Sequence, residues 1–231
     1  MNHRFLANPY RGAFMGLALV AQVAACASVQ AREQRGDAQV CPPGAVFYGD
    51  GMVAASLPDA VKQALTAARE QARGAASGRL SDYMADQPWQ PHVSVIYGVT
   101  PEKAAPAWQA LQAYLPAQEG VPMSFGGLQY WDDPKGNKTT LVVNILEPQQ
   151  VLTHLHDRLA QAAQIGSRFA YHPHTTLTYL QLGTRFDAQQ EAAIQEPLRG
   201  VTWQAETFYL TDPCGIPLQT AAVGAPALPH P

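Results

Sequence analysis

Two distant segments of this chain repeat one pattern. Pro91-His92-Val93-Ser94-Val95 and Pro173-His174-Thr175-Thr176-Leu177, 82 positions apart, both read proline, histidine, any residue, hydroxyl, aliphatic. Along an extended strand successive side chains point to opposite faces, so His92 and Ser94 share one face while Val93, Val95 and Tyr97 take the other. The same parity groups His172, His174, Thr176 and Thr178 against Phe169, Tyr171, Leu177 and Tyr179. Each strand then offers an imidazole beside a hydroxyl over an apolar backing. A proline before both histidines and an apolar strand-like context around both argue against coincidence.

Around these strands, short strand-like runs alternate with helix-like ones. Residues 45–48 read as a strand and 58–73 as a helix with Val61, Leu65, Ala68 and Ala72 at helical spacing. A strand is expected over 89–98. Thr100 then stands as an N-cap before Pro101, opening a helix to about Leu115 whose apolar stripe is Ala104, Trp108, Leu111 and Leu115. Strands at 121–130 and 139–146 flank the turn-rich Trp131–Lys138 segment, which predicts a hairpin with a long loop carrying Trp131. A helix over 148–164, a strand over 169–180, a short helix over 187–196 and a last strand over 201–211 complete a domain at 45–212, followed by a tail. This mixed order predicts an α+β fold with largely antiparallel pairing. Neither G-x-G-x-x-G nor G-x-x-x-x-G-K-S/T occurs, so the two commonest phosphate-cradling loops are missing.

At the start of the chain, Arg4 and Arg11 precede an uncharged stretch, 12–25, that ends in small residues, the pattern of a signal peptide. The stretch is short of the roughly 20 residues a membrane-spanning helix needs, so export is expected rather than a permanent span. Two cleavage sites compete. Val23-Ala24-Ala25-Cys26 fits a bacterial lipobox with Cys26 lipidated, and Ala25-Cys26-Ala27 fits ordinary cleavage. Either takes Cys26 out of thiol chemistry, which leaves Cys41 and Cys214 to form a disulfide in an oxidising periplasmic compartment; the alternative is two unrelated thiols. Removing residues 1–25 deletes two arginines and no acid, so the exported form is more acidic than the formal charge of −3. With no Lys/Arg block anywhere, a small anionic ligand suits the chain better than duplex nucleic acid.

The segments HVSV at 92–95 and HTTL at 174–177 resemble the paired H-x-S/T-hydrophobic motifs of the two-histidine (2H) phosphoesterases, which include 2',5'-RNA ligase-like RNA 2',3'-cyclic phosphodiesterases. The resemblance covers about 45–212. It implies a bilobal, pseudo-twofold α+β fold of two mainly antiparallel sheets with flanking helices, one motif per lobe, and a central groove that works without metal or cofactor. It also implies His92 and His174 as the catalytic acid and base, in an order set by the substrate, with Ser94 and Thr176 donating hydrogen bonds to the phosphate. Histidine suits both roles because its ordinary pKa, about 6.5, lies near operating pH. The implied substrate is a small nucleotide or RNA-end phosphodiester, the protein is expected to be a monomer, and the membrane enters only through a lipid anchor.

Trp131, Arg168, Thr178 and Lys138 are candidate substrate contacts, with Trp89 and Arg185 as further ones. Parity turns Tyr97 and Tyr179 away, towards the core. The main rival reading takes His172 and His174 as a metal pair with His154 or His156, in a metal-dependent hydrolase or metal-binding lipoprotein. On a helix His154 and His156 point apart, so at most one could join. A non-catalytic nucleotide-binding lipoprotein is the third reading.

Overall fold

Strand formation begins where the chain is most uniformly apolar, at Gly51–Ala55, all five residues of which are buried. The computed structural model describes residues 41–43, 45, 48–83, 88–118, 120–167 and 170–224, all within a unit spanning Val40–Pro231. Among them the order is β1 (Gly51–Ala55), α1 (Asp59–Ala76), β2 (Val93–Val99), α2 (Pro101–Tyr114), β3 (Val121–Asp133) and β4 (Lys138–Leu146). Then come α3 (Val151–Ala162), β5 (His174–Gln181), α4 (Ala188–Gln195), β6 (Thr202–Ala205), β7 (Thr207–Thr211) and β8 (Pro217–Ala222). They form two four-stranded sheets, β2-β1-β7-β8 and β5-β4-β3-β6, paired antiparallel throughout. The expected α+β, two-sheet architecture is present.

Two units are built alike. β1–α1–β2 and β4–α3–β5 each join neighbouring antiparallel strands through a helix. The helices are exchanged between the sheets: α1 packs on β5 and α4, whereas α3 packs on β2 and α2. Each helix does so with one apolar stripe, Val61, Leu65, Ala68, Ala72 and Ala76 on α1 and Val151, Leu152, Leu155 and Leu159 on α3. On α2 the stripe differs by one position from expectation, with Ala107, Leu111 and Leu115 fully buried and Ala104 and Trp108 at its margin. Asp187 and Gln190 start α4 with a reciprocal capping box, which is why that boundary is readable from sequence.

Other expectations need correction. Residues 45–48 hold no strand where they are described; the strand is β1, whose central position buries both faces and removes the alternation that marks a strand in sequence. The 201–211 run divides at Glu206 into β6, paired with β3, and β7, paired with β1, so one apparent strand serves both sheets. Beyond the expected boundary at 212, β8 adds an exposed edge strand. β3 and β4 extend into the expected long loop, leaving a turn at 134–137 and setting Trp131 on a strand opposite Thr140. The proposed signal segment, Cys26 and Arg168 lie outside the described residues. No helix among the described residues is long and apolar enough to cross a membrane.

Cys41 and Cys214 are joined, with Cα atoms 5.5 Å apart and 173 positions between them. The bridge ties the segment before β1 to the β7–β8 turn, where the Tyr48 amide donates to the Pro213 carbonyl at 2.8 Å. There Gly215 adopts φ +69°, and a Cβ on it would meet the Tyr48 ring at 2.7 Å, so the turn and the tyrosine fit only with glycine. Closing so long a loop restricts the unfolded chain by about 5 kcal/mol in the chain-entropy account. The double variant Cys41→Ser/Cys214→Ser is therefore expected to melt roughly 10–20 °C lower in non-reducing buffer; an unchanged Tm would show that the bridge does not constrain the unfolded state.

Candidate active site

β2 and β5 are the outermost strands of their sheets, and they lie beside each other. Two reciprocal hydrogen bonds hold them there. Trp89, three residues before His92, donates its indole N–H to the Thr176 carbonyl at 3.0 Å. Tyr171, three residues before His174, donates its hydroxyl to the Ser94 carbonyl at 2.9 Å. Each motif is thus braced by an aromatic residue that precedes the other.

Both histidines line one cleft of about 420 Å³, together with Thr176, Tyr97, Tyr179 and Trp131. Their rings are oriented alike by the backbone. Nδ1–H of His92 donates to the Gln90 carbonyl and Nδ1–H of His174 to the His172 carbonyl, both at 2.8 Å. A carbonyl only accepts, so each Nδ1 carries the proton and the neutral ring keeps Nε2 as its free base. The Tyr97 hydroxyl donates to His92 Nε2 at 2.7 Å. Tyr48 meets the His92 ring edge-on at 5.5 Å between centroids, and Trp131 meets His174 in the same manner at 4.3 Å.

Tyr97 and Tyr179 line the cleft instead of the core, which corrects the parity argument. β1 pairs Val53 with Ile96 and Ala54 with Ser94, leaving Val95 as an extra residue. β4 pairs Leu141 with Thr178 and Val142 with Thr176, leaving Leu177 as an extra residue. Both are fully buried β-bulges three positions after their histidine. One inserted residue resets the alternation, so the tyrosine five positions after each histidine returns to the histidine's face.

The remaining candidates fall in different places. Thr176 lines the cleft, whereas Ser94 is 4% exposed with its hydroxyl 3.8 Å from Met52 Sδ. Thr178 lines the cleft but is itself buried. Lys138 lines it too, bonded to Asp133 at 2.8 Å with its ammonium 3.9 Å above the Tyr83 ring. Arg185 is paired with Asp132 at 2.7 Å and is not among the lining residues. Sequence reasoning did not single out Tyr48, Arg69 or Arg73, all of which line the cleft. The two arginines were detectable as an i,i+4 pair on the polar side of α1. His156 stacks flat on Tyr171 at 4.4 Å, and no group of three or more metal-ligating side chains exists among the described residues.

Burial lowers the pKa of both imidazoles, despite the backbone acceptor that favours the charged form of each. His92 is lowered further by a positive charge on His174, so a first proton on the pair opposes a second. Burial pushes the Tyr97 phenol up, so it stays an O–H donor at neutral pH.

The model of the 2'-5' RNA ligase superfamily matches residues 57–213, a span that includes both motifs. No curated protein matches the sequence. In three dimensions the chain is similar to Kluyveromyces marxianus Usb1 with uridine monophosphate, at 12% identity and a TM-score of 0.50, over 77% of this chain and 98% of that one. It is also similar to E. coli LigT complexed with NADP+, at 18% identity and a TM-score of 0.45, over 76% of this chain and 98% of that one. At 12% identity the likeness to Usb1 is one of fold.

The geometry specifies a tautomer that histidine disfavours in water. Nitrogen-15 NMR at neutral pH is expected to show His92 and His174 both protonated at Nδ1, with midpoints below about 6.5; Nε2–H forms would contradict the ring orientation, and midpoints above that value would contradict the dominance of burial over the backbone acceptors. Since the folded pKa values are depressed, the unfolded chain takes up protons first as pH falls. These two residues therefore leave stability unchanged above about pH 6.5 and lower it on acidification below.

Proposed function

The chain belongs to the 2'-5' RNA ligase superfamily of two-histidine phosphoesterases, and from that premise we propose that it is a metal-independent phosphodiesterase opening a 2',3'-cyclic phosphate or a related nucleotide phosphodiester. The observation that carries this reading is the pair of imidazoles in one cleft, each with Nδ1 tied to a backbone carbonyl and Nε2 left as the working nitrogen.

Hydrolysis needs two proton transfers at one phosphorus. One imidazole accepts a proton from water at Nε2 as the water oxygen bonds to phosphorus. The bond from phosphorus to a ribose oxygen breaks, and the second imidazole, protonated at the outset, gives its Nε2 proton to that oxygen. The histidines thereby exchange protonation states, and solvent restores them. Thr176 supports the charge on a non-bridging oxygen from the cleft wall, while Ser94 must turn from Met52 to do so. Tyr97 occupies His92 Nε2 in the free protein, so it must yield that nitrogen when substrate binds. The Cys41–Cys214 bridge supports the further reading that residues 1–25 direct export to an oxidising compartment, and the lipobox at 23–26 favours a lipid on Cys26 over ordinary cleavage at 25–27.

Mature protein is to be assayed in EDTA against 2',3'-cyclic nucleotides and cyclic-phosphate RNA ends. His92→Ala and His174→Ala are each expected to lower kcat/KM by about 10²- to 10⁴-fold. Thr176→Ala is expected to cost about 10²-fold and Ser94→Ala less. Because one histidine must be charged and the other neutral while burial lowers both, kcat/KM is expected to follow a bell with its maximum below about pH 6.5. Loss of activity in EDTA that a metal restores, or equal turnover by wild type and both histidine variants, would overturn the reading.

A further inference from the structure

Three cations, Arg69, Arg73 and Lys138, line the cleft against one acid, Asp82, among its described residues, in a chain whose formal charge is −3. Lys138 is already paired with Asp133. The two arginines stand one turn apart on α1, where like charges repel. Arg69 holds its guanidinium carbon 4.9 Å from the Trp89 ring centroid, with Nη1 3.6 Å from Glu70 on its own helix and a buried Nε that has no hydrogen-bond partner. Arg73 makes no ion pair among the described residues. Burial and the neighbouring Arg73 charge both work against the Arg69 cation, and Glu70 offsets them only in part.

Pseudo-symmetry sharpens the point. On α3 the counterpart of Arg69 is His156, which covers the Tyr171 ring as Arg69 covers the Trp89 ring and is likewise followed by an acid. His156 does not line the cleft, and the position one turn on is Ala160 rather than an arginine. Packing against the brace explains a side chain over the aromatic ring at both places. It does not explain a second cation on one side only, facing the same cleft as the two histidines.

We propose that Arg69 and Arg73 form a second anion subsite, which holds a phosphate group of the substrate other than the one that reacts. This rests on the phosphodiesterase reading for the reacting phosphate and adds the substrate's chemistry: a nucleotide with a further phosphate, one nucleoside away from the scissile one. The Trp89 indole links this subsite to the motif. Its N–H edge is fixed to the Thr176 carbonyl, two residues after His174, and its face carries Arg69. The guanidinium thus sits over the face of a ring whose edge is fixed to the motif, and its fork of donors suits charge-assisted contacts to phosphate oxygens.

The test is binding of non-reacting ligands to wild-type protein in EDTA, a nucleoside 3'-monophosphate against the matching 3',5'-bisphosphate, read by tryptophan fluorescence and calorimetry. The bisphosphate is expected to bind about tenfold tighter at low salt, and this advantage is expected to shrink as ionic strength rises. Arg69→Gln and Arg73→Gln are each expected to bring the affinity ratio towards one, while the surface variant Arg199→Gln leaves it unaltered. Equal affinities for the two ligands in wild type would overturn the proposal. So would arginine variants that weaken both ligands by the same factor, since the guanidiniums would then serve the reacting phosphate or the fold. Cyclic-phosphate turnover is measured beside these titrations: its absence with the affinity ratio intact would count against the phosphodiesterase reading alone.

Discussion

Two hydrogen bonds between the motif strands, Trp89 to the Thr176 carbonyl and Tyr171 to the Ser94 carbonyl, determine where everything else in the cleft can be. An outermost strand presents backbone polar groups with no further strand to pair them, and here each such strand takes a partner from the segment leading into the other. The donors stand three residues before the histidines and the acceptors two residues after. Little chain therefore separates either imidazole from a brace, which matters for chemistry that loses rate steeply with sub-ångström misplacement. The exchanged helices secure the braces from behind, Arg69 of α1 over Trp89 and His156 of α3 on Tyr171.

The bulges at Val95 and Leu177 give the hydrophobic position of each motif a physical meaning. A strand of regular parity would turn the residue five positions past the histidine into the core. One inserted apolar residue, fully buried, rotates the strand so that a tyrosine lines the cleft from each motif. The symmetry stops at function, since only Tyr97 reaches a histidine nitrogen. His92 is thereby held neutral and occupied, whereas nothing among the described residues bonds to His174 Nε2.

Much of this was legible in the residues, because local signals and tertiary outcome agreed. The apolar stripes of α1 and α3, the Asp187 capping box and the two histidine strands each announce themselves within a few positions. What was not legible depends on partners far away in the chain. β1 lacks alternation because it is buried on both faces, and β8 lacks an apolar pattern because it lies on an exposed edge. A bulge is a property of two strands together, so Tyr97 and Tyr179 could not be placed by parity within one. Tyr48 reaches the cleft only because the Cys41–Cys214 bridge and Gly215 bring its segment there, and Arg69 and Arg73 only because α1 crosses to the opposite sheet.

Burial and charge in the cleft have linked consequences. The free protein disfavours imidazolium at both histidines, and a proton on His174 disfavours one on His92, so the resting pair sits close to neutral while the reaction needs one proton on it. A phosphate entering between the rings reverses that balance, since a nearby anion favours the charged form of histidine. By linkage, substrate that binds better to the protonated pair raises its proton affinity in equal measure. The cleft therefore does not store the catalytic acid in advance: anion and proton arrive together, and a site too dry to hold an imidazolium alone becomes one that holds the ion pair in which the chemistry begins.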